Sequence, residues 1–330
     1  MHIRAATVLV LGVLCTARPA AAQELGNKVL GGIGVDAGVQ PEPGLYLLDR
    51  LVDYRAGQLR DRNGDVLPVA SLDIDALCNV LGIAFTTRLA KKKPYYYSLA
   101  LGAPLAHVTV SADDPRIDAD ASGFGDFFLQ PLKLGARFDH GNVVASYTFY
   151  APTGHFEPRR LSVGRGFWTH QLSLGGAFRG DRTRRQRFSF LASYDINGRK
   201  RDIDITRGNI VQLQGGAGAQ LAGPLDLGLA GFAMWQLTDN HGSDLPTVVR
   251  GARSRVFGLG PELNLTIPSL RARLDARTEW EFGARSRQEG WVLVTAVSVM
   301  VHGPAGQPKA ARPAATQAGG EGGGGSSRVP

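Results

Sequence analysis

The chain has 330 residues, a formal net charge of +8, 20% charged residues and 43 glycines. This glycine content suits tight turns and small-residue sheet positions better than a helical domain. No stripe of aromatic and basic residues is present, so we interpret the positive charge as dispersed over the surface and expect no nucleic-acid partner.

Residues 1–22 predict a secretory signal peptide. Arg4 supplies its positive end, an apolar run follows, and small residues ending at Ala22 form the cleavage site. Cys15 follows a leucine where a lipoprotein signal has a small residue, so we assign it to the discarded leader. Cys78 is then the remaining cysteine, which rules out an intramolecular disulfide in an exported chain.

Residues 23–42 are rich in glycine and lead into Gln-Pro-Glu-Pro-Gly. Such a segment is either a flexible periplasmic arm or a short plug folded into a lumen, and the sequence favours neither. Beyond residue 22 there is no run of 18 apolar residues without a charge, which is the length that a transmembrane helix requires. If the chain spans a membrane, it must therefore do so as a closed β-barrel.

Twelve segments between residues 43 and 302 read as strands, since polar and apolar residues alternate with period two in most of them. They are 45–55, 73–89, 95–110, 124–138, 143–150, 168–178, 187–197, 211–221, 225–236, 257–267, 271–282 and 291–301. The alternation is strictest in 271–282, where one face is charged and the other ends in Trp280 and Phe282. In 124–138 it changes parity at Pro131, which predicts a β-bulge there.

The gaps between these segments alternate between long and short, as in bacterial barrels with long outer loops and short periplasmic turns. The long gaps are 56–72, 111–123, 152–167, 198–208, 239–254 and 283–290, and the short ones are 90–94, 139–142, 179–186, 222–224 and 268–270. The sequence therefore predicts an all-β, antiparallel transmembrane β-barrel of about 12 strands over residues 43–302. We expect it in the bacterial outer membrane, in contact with its lipid; the rival is a soluble exported β-protein. Residues 303–330 predict a disordered tail rich in Gly, Pro and Ala.

The polar strand faces predict the lining of a lumen along which a solute would pass. These lumen candidates are Asp126, Gln130, Asp195, Asn197, Gln212, Gln214, Gln236, Glu262, Asn264, Arg273, Arg277, Glu279 and Glu281. Charged side chains are tolerated there because a lumen is wet or supplies a partner for each charge. A barrel of this size leaves only a narrow path lined by side chains.

Several short motifs resemble one known family. They include Gly-Phe-Gly-Asp at 123–126, Ala-Pro-Thr-Gly at 151–154 and Val-Phe-Gly-Leu-Gly-Pro at 256–261, in family order across about 120–300. The family comprises the outer-membrane proteins named for the meta-pathway of phenol degradation, which are usually assigned as transporters. The resemblance implies a barrel and the passage of hydrophobic or aromatic compounds. The glycines and prolines in these motifs are also explained by close strand packing and rim turns.

No motif predicts covalent chemistry, a metal site or a cofactor. The acidic run from Asp118 resembles the start of a calcium loop, but Leu129 stands where a bidentate Glu is required. No nucleophile elbow, His-Glu-x-x-His or paired-cysteine spacing occurs.

We therefore expect a passive outer-membrane channel for small compounds rather than an enzyme, with the oligomeric state open. The alternatives are a structural barrel without transport and a lipid-acting barrel enzyme. The enzyme needs a Ser-His pair at the lipid boundary. His170 faces outward, but the sequence shows no evident partner for it.

Overall fold

A computed structural model describes residues 30–90, 92–115, 117–180 and 185–303. The predicted signal peptide and almost all of the predicted tail lie outside the described residues. The strands are β1 (Gly44–Arg60), β2 (Asp73–Arg88), β3 (Tyr95–Ser111), β4 (Ala119–Phe124), β5 (Phe128–Phe138), β6 (Gly141–Tyr150), β7 (Thr169–Arg179), β8 (Gln186–Asn197), β9 (Ile210–Ala222), β10 (Leu225–Gln236), β11 (Arg255–Ile267), β12 (Ala272–Arg285) and β13 (Arg287–His302). Two 3-10 turns, Thr247–Val249 and Pro268–Leu270, complete the regular structure, and no helix in the described part of the chain is long and apolar enough to cross a membrane.

The strands form a closed antiparallel barrel. Apart from β4 and β5, each strand pairs with its neighbours along the chain, and β1 pairs with both β2 and β13, which closes the sheet. β4 and β5 both pair with β3, one beyond the other, so the thirteen segments fill twelve positions in the wall. The predicted twelve-stranded antiparallel barrel is confirmed. Closure pairs the wall on both sides except at the short β4, whose partner among the described strands is β3 alone, and a closed wall is the condition for a β-structure to cross hydrocarbon.

The fourth wall position contains both a predicted and an unpredicted irregularity. The pairing of β5 with β6 shifts register between Leu129 and Leu132, so the bulge predicted at Pro131 is confirmed. The break between β4 and β5 at residues 125–127 was not predicted, because Gly125 resembles the glycines that lie within other strands. This break admits the loop after β6, which is described with the site below.

The outer surface carries an apolar band bounded by aromatic side chains. Leu81 and Leu174 leave 61% of their surface exposed, which is costly in water and favourable against lipid acyl chains. Trp168, immediately before β7, and Phe178 near its end are ten residues apart. At about 3.3 Å per residue and a tilt of about 40°, ten residues span roughly 25 Å of membrane, which is the height of the apolar band in such barrels.

The last predicted long gap, 283–290, is wrong. Only Ser286 separates β12 from β13, and β13 stays paired with β1 as far as Arg60. Arg60 and Glu289 form an ion pair at 2.5 Å beside this hairpin. Charged residues indicate a loop when sequence is the only guide, yet they also suit strands that continue beyond the membrane, where charges remain hydrated. Polarity alone does not separate the two cases.

Candidate functional site

Residues 30–42, hereafter the lumen segment, lie inside the barrel. Their backbone carbonyls accept hydrogen bonds from side chains of four wall strands, β5, β6, β8 and β12. Lys133 Nζ donates to Val39 at 2.8 Å, and Asn142 Nδ2 donates to Gly38 at 2.6 Å. Arg277 donates to Gly31 O from both Nε, at 3.0 Å, and Nη2, at 2.8 Å. Residues 30–42 are therefore hydrogen-bonded to the wall from within the lumen.

The middle of the lumen segment is held by charged side chains of the wall. The Asp36 carboxylate accepts hydrogen bonds from Arg273 Nε at 2.7 Å and from Arg187 Nη1 at 3.1 Å. The Val35 backbone N–H donates to Glu262 Oε2 at 2.8 Å. Hydrogen bonds to ionised groups are stronger than neutral ones, so these contacts fix the register of the lumen segment.

Glycine is required where the lumen segment touches the wall. A Cβ on Gly34 would overlap the Glu262 carboxylate and lie 3.1 Å from Arg277 Cδ. Gly38 has φ of +71°, which L side chains rarely adopt, and a Cβ there would overlap the β7 and β8 backbone. The glycine-rich composition read from the sequence therefore has a structural reason.

The predicted lumen residues divide into groups by position. Six surround the lumen segment: Gln214, Glu262, Asn264, Arg273, Arg277 and Glu279. Gln214 accepts the Ile33 N–H at 3.1 Å, and Asn264 donates to Glu262 at 2.8 Å. Glu279 is fully buried, with Arg277 Nε 3.9 Å away. The structure thus brings these residues together around the lumen segment rather than along an open pore.

The other predicted residues lie nearer the end of the barrel that carries the long loops, or along its wall. Asn197 accepts from Thr169, and Gln236 accepts from Ser254 Oγ at 3.1 Å, both at this long-loop end. Glu281 accepts the Tyr54 hydroxyl at 2.8 Å. The remaining four are Asp195, Gln130, Gln212 and Asp126. Asp195 accepts a hydrogen bond from Gln171 at 2.6 Å, and Gln130 donates one to Thr148 at 3.0 Å. Gln212 is buried in the wall of a cavity.

Asp126 joins two of the motifs that carry the family resemblance. Its carboxylate accepts the Gly154 N–H at 3.0 Å and the Arg165 N–H at 2.9 Å. Phe127 N–H donates to Thr153 Oγ1 at 2.9 Å beside it. These bonds hold the loop between β6 and β7 at the break in the fourth wall position. The loop thereby directs Arg165 into the barrel.

Two adjoining cavities occupy the barrel. The apolar chamber has a volume of about 130 Å³, lies toward the long-loop end and is lined mainly by the aliphatic residues Val52, Val108, Ile210, Met234 and Val292. The polar chamber has a volume of about 410 Å³, borders the lumen segment and is lined by aliphatic residues such as Val80 and Val297 together with the polar residues Arg50, Gln130, Thr148, Tyr150, Gln171 and Asp275, for which it is named. Val52, Cys78, Pro104 and Asp126 line both. A solute from the long-loop end would meet the apolar chamber first and the polar chamber second.

Sequence reasoning did not identify Arg50, Cys78 or Arg165 as lining residues. Arg50 lies on β1, where the outward face carries Asp49 and Asp53 and so obscures the alternation. The signal that could have found Arg50 is its parity with buried Val52, two residues on. Arg165 lies in a loop, where periodicity gives no direction. Among the described residues no group of three His, Cys, Asp or Glu side chains is placed to hold a metal ion.

The closed barrel and its apolar outer band define the outer-membrane β-barrel class. A family profile described as "Putative MetA-pathway of phenol degradation" matches residues 56–295, and the chain belongs to this family. The predicted resemblance is thereby confirmed.

Solved structures share the fold at low sequence identity. An outer-membrane channel from Pseudomonas putida F1 is 14% identical, with 80% of this chain and 97% of that chain covered and a TM-score of 0.69. The transport unit of an autotransporter from Escherichia coli is 9% identical, with 88% and 97% covered and a TM-score of 0.50. No curated protein sequence matches the chain.

Proposed function

We propose that this protein is a passive channel that admits small hydrophobic or aromatic compounds through the bacterial outer membrane. The observation that carries the proposal is an internal cavity, the apolar chamber, whose lining is mainly aliphatic. Aliphatic side chains inside a wet lumen are unfavourable unless something apolar covers them. A hydrophobic solute gains free energy on entering such a chamber, at about 25 cal/mol for each Å² of apolar surface removed from water.

The lumen segment makes a permanently open aqueous pore a poor alternative. It crosses the barrel interior beneath the chambers and is anchored on β5, β6 and β12. Water and ions would have to pass around these contacts. A solute that binds first in the apolar chamber remains in the barrel until the lumen segment shifts, and it can then move past that segment. We therefore propose selective, binding-dependent passage rather than general diffusion, with no covalent step.

The test uses two alanines on opposite faces of β3. Ala106 lines the apolar chamber, whereas Ala103 is exposed on the outer surface. Uptake of radiolabelled 1-naphthol is measured in intact cells, because a neutral aromatic partitions unaided into plain phospholipid. We expect Ala106→Trp to reduce uptake to the level of cells without the protein, since the ring fills the chamber. Ala103→Trp should leave uptake at the wild-type level.

Two results would contradict the proposal. One is uptake by wild-type cells no faster than by cells lacking the protein. The other is equal uptake by the Ala106→Trp and Ala103→Trp variants, which would show that the apolar chamber is not on the path. Heat-modifiable mobility in gels checks that both variants form the barrel.

One observation favours a second candidate function, a lipid-acting enzyme. On the outer surface, Ser122 Oγ lies 2.6 Å from His107 Nδ1, and Thr109 Oγ1 lies 3.2 Å from His107 Nε2. A serine paired with a histidine is the minimum for a nucleophile activated by a base. The histidine faces a threonine hydroxyl instead of a carboxylate, so the imidazolium formed in catalysis would be less well stabilised. Outward His170 contacts the Tyr147 hydroxyl at 2.7 Å.

A fluorophosphonate probe separates the two functions. Labelling of wild-type protein that disappears in Ser122→Ala would support the enzyme. We expect no labelling, with 1-naphthol uptake unchanged in Ser122→Ala.

A further inference from the structure

The two chambers carry two arginines without an anionic partner. Of the charged side chains that line the chambers in the described part of the chain, most are hydrogen-bonded or ion-paired. Asp275, for example, receives Arg277 Nη1 at 2.6 Å. Neither the Arg50 nor the Arg165 guanidinium group forms an ion pair with a carboxylate of the residues that the structure describes. Arg50 Nε is in addition buried without a hydrogen-bond partner.

The two arginines line adjoining cavities. Arg50 lines the polar chamber and Arg165 the apolar chamber, and Cys78 lines both. Arg50 belongs to β1, and Arg165 belongs to the loop that Asp126 holds inside the barrel. One positive charge therefore belongs to each of the two chambers that meet at Cys78.

The nearby carboxylates do not neutralise this pair by direct contact. Asp126 accepts two backbone N–H groups, Asp195 accepts Gln171, and Asp275 is bonded to Arg277. Tyr150, like Arg50, lines the polar chamber. A phenol hydroxyl and two guanidinium groups are donors suited to a carboxylate or phenolate oxygen.

We propose that Arg50 and Arg165 form an anion subsite, so that the channel prefers amphipathic monoanions whose apolar body occupies the apolar chamber. The carboxylate of an aromatic acid would lie at the chamber boundary near Cys78. Its ring would pack among Val52, Val108 and Val292. This inference rests on the proposed function and narrows its substrate class from hydrophobic compounds to hydrophobic acids. It also gives the two guanidinium groups an anionic partner in direct contact.

The test compares an acid with its neutral isostere. Binding of 4-chlorobenzoate and 4-chlorobenzamide to the full chain in lipid nanodiscs is measured by isothermal titration, with empty nanodiscs subtracted. Removal of one charge-assisted contact should weaken binding of the acid about tenfold in Arg50→Gln and in Arg165→Gln, while binding of the amide changes less than about twofold. Arg50→Lys should restore part of the affinity for the acid, because it restores the charge without the planar fork.

Arg55→Gln is the matched control. Arg55 lies on the same strand but faces outward over Trp291, so its replacement removes one charge without touching the lumen. Equal wild-type affinity for acid and amide would overturn the anion subsite, as would unchanged acid affinity in both Gln variants. In either case the proposed function stands if wild-type cells take up 1-naphthol. If the wild type binds neither compound and admits no 1-naphthol, both proposals fall.

Discussion

A methyl group at Gly34 should release the lumen segment without unfolding the barrel. The Cβ of Gly34→Ala would overlap the Glu262 carboxylate, so the lumen segment must move or the carboxylate must turn away. Either response breaks the hydrogen bond from Val35 N–H to Glu262, which is 2.8 Å long. Glu262 is only 1% exposed, and water does not readily replace the lost donor.

The size of the effect follows from that one bond. Leaving a buried donor without its hydrogen-bond partner costs about 1 to 3 kcal/mol. Because about 1.4 kcal/mol corresponds to a factor of ten, the docking equilibrium of the lumen segment should shift by roughly 5- to 150-fold toward the released state. The wall strands pair with each other rather than with the lumen segment, so the barrel itself should keep its stability.

Planar-bilayer recording and hydrogen exchange measure this shift. We expect Gly34→Ala to show longer and more frequent open events than the wild type, together with faster exchange of the amides in residues 30–42. Gly57→Ala is the control, because the nearest atom to its added Cβ is Leu72 O at an ordinary contact distance of 3.6 Å. Wild-type conductance and exchange in Gly34→Ala would refute the proposed anchoring of the lumen segment.

Three further predictions concern the chamber, the loops and the orientation. Cys78→Trp should block 1-naphthol uptake as Ala106→Trp does, because Cys78 lines both chambers. Hydrogen bonds from the Ser243 N–H and hydroxyl hold the pKa of Asp204 below its ordinary value, so this loop contact is present at neutral pH. It should be lost as the pH falls below about 4, seen as a lower protection factor of the Ser243 amide against hydrogen exchange, whereas Asp204→Asn should show low protection at every pH. An impermeant maleimide on whole cells should label Arg250→Cys on a long loop and not Asp139→Cys on a short turn; equal labelling would contradict the assigned orientation.

The barrel could be predicted because lipid and lumen impose opposite requirements on alternate residues. β12 shows this directly: Arg273, Arg277 and Glu279 all face inward while Leu274 and Trp280 alternate with them. The closing pair, β1 with β13, was harder to see, since β13 is apolar on both parities and β1 carries aspartates on its outer face. Closure had to be inferred from the even number of strands and the alternating gap lengths.

The site could be predicted only in part, because alternation gives the direction of a side chain and not its partner. Glu262 and Arg277 were correctly assigned to the inner face, but their contacts are with the lumen segment, more than 200 residues earlier in the chain. Arg165 was missed because its position depends on Asp126, which binds the backbone of a loop 39 residues later. Long-range contacts of this kind leave no local pattern in the sequence.

The most direct test of the central claim compares two solutes of similar size in the same cells. Uptake of 1-naphthol and of a neutral sugar such as xylose is measured in cells with and without the protein. The apolar chamber and the lumen segment predict that the protein accelerates 1-naphthol uptake strongly and xylose uptake little or not at all. Faster xylose uptake with no gain for 1-naphthol would identify an aqueous pore and would contradict the channel for hydrophobic compounds.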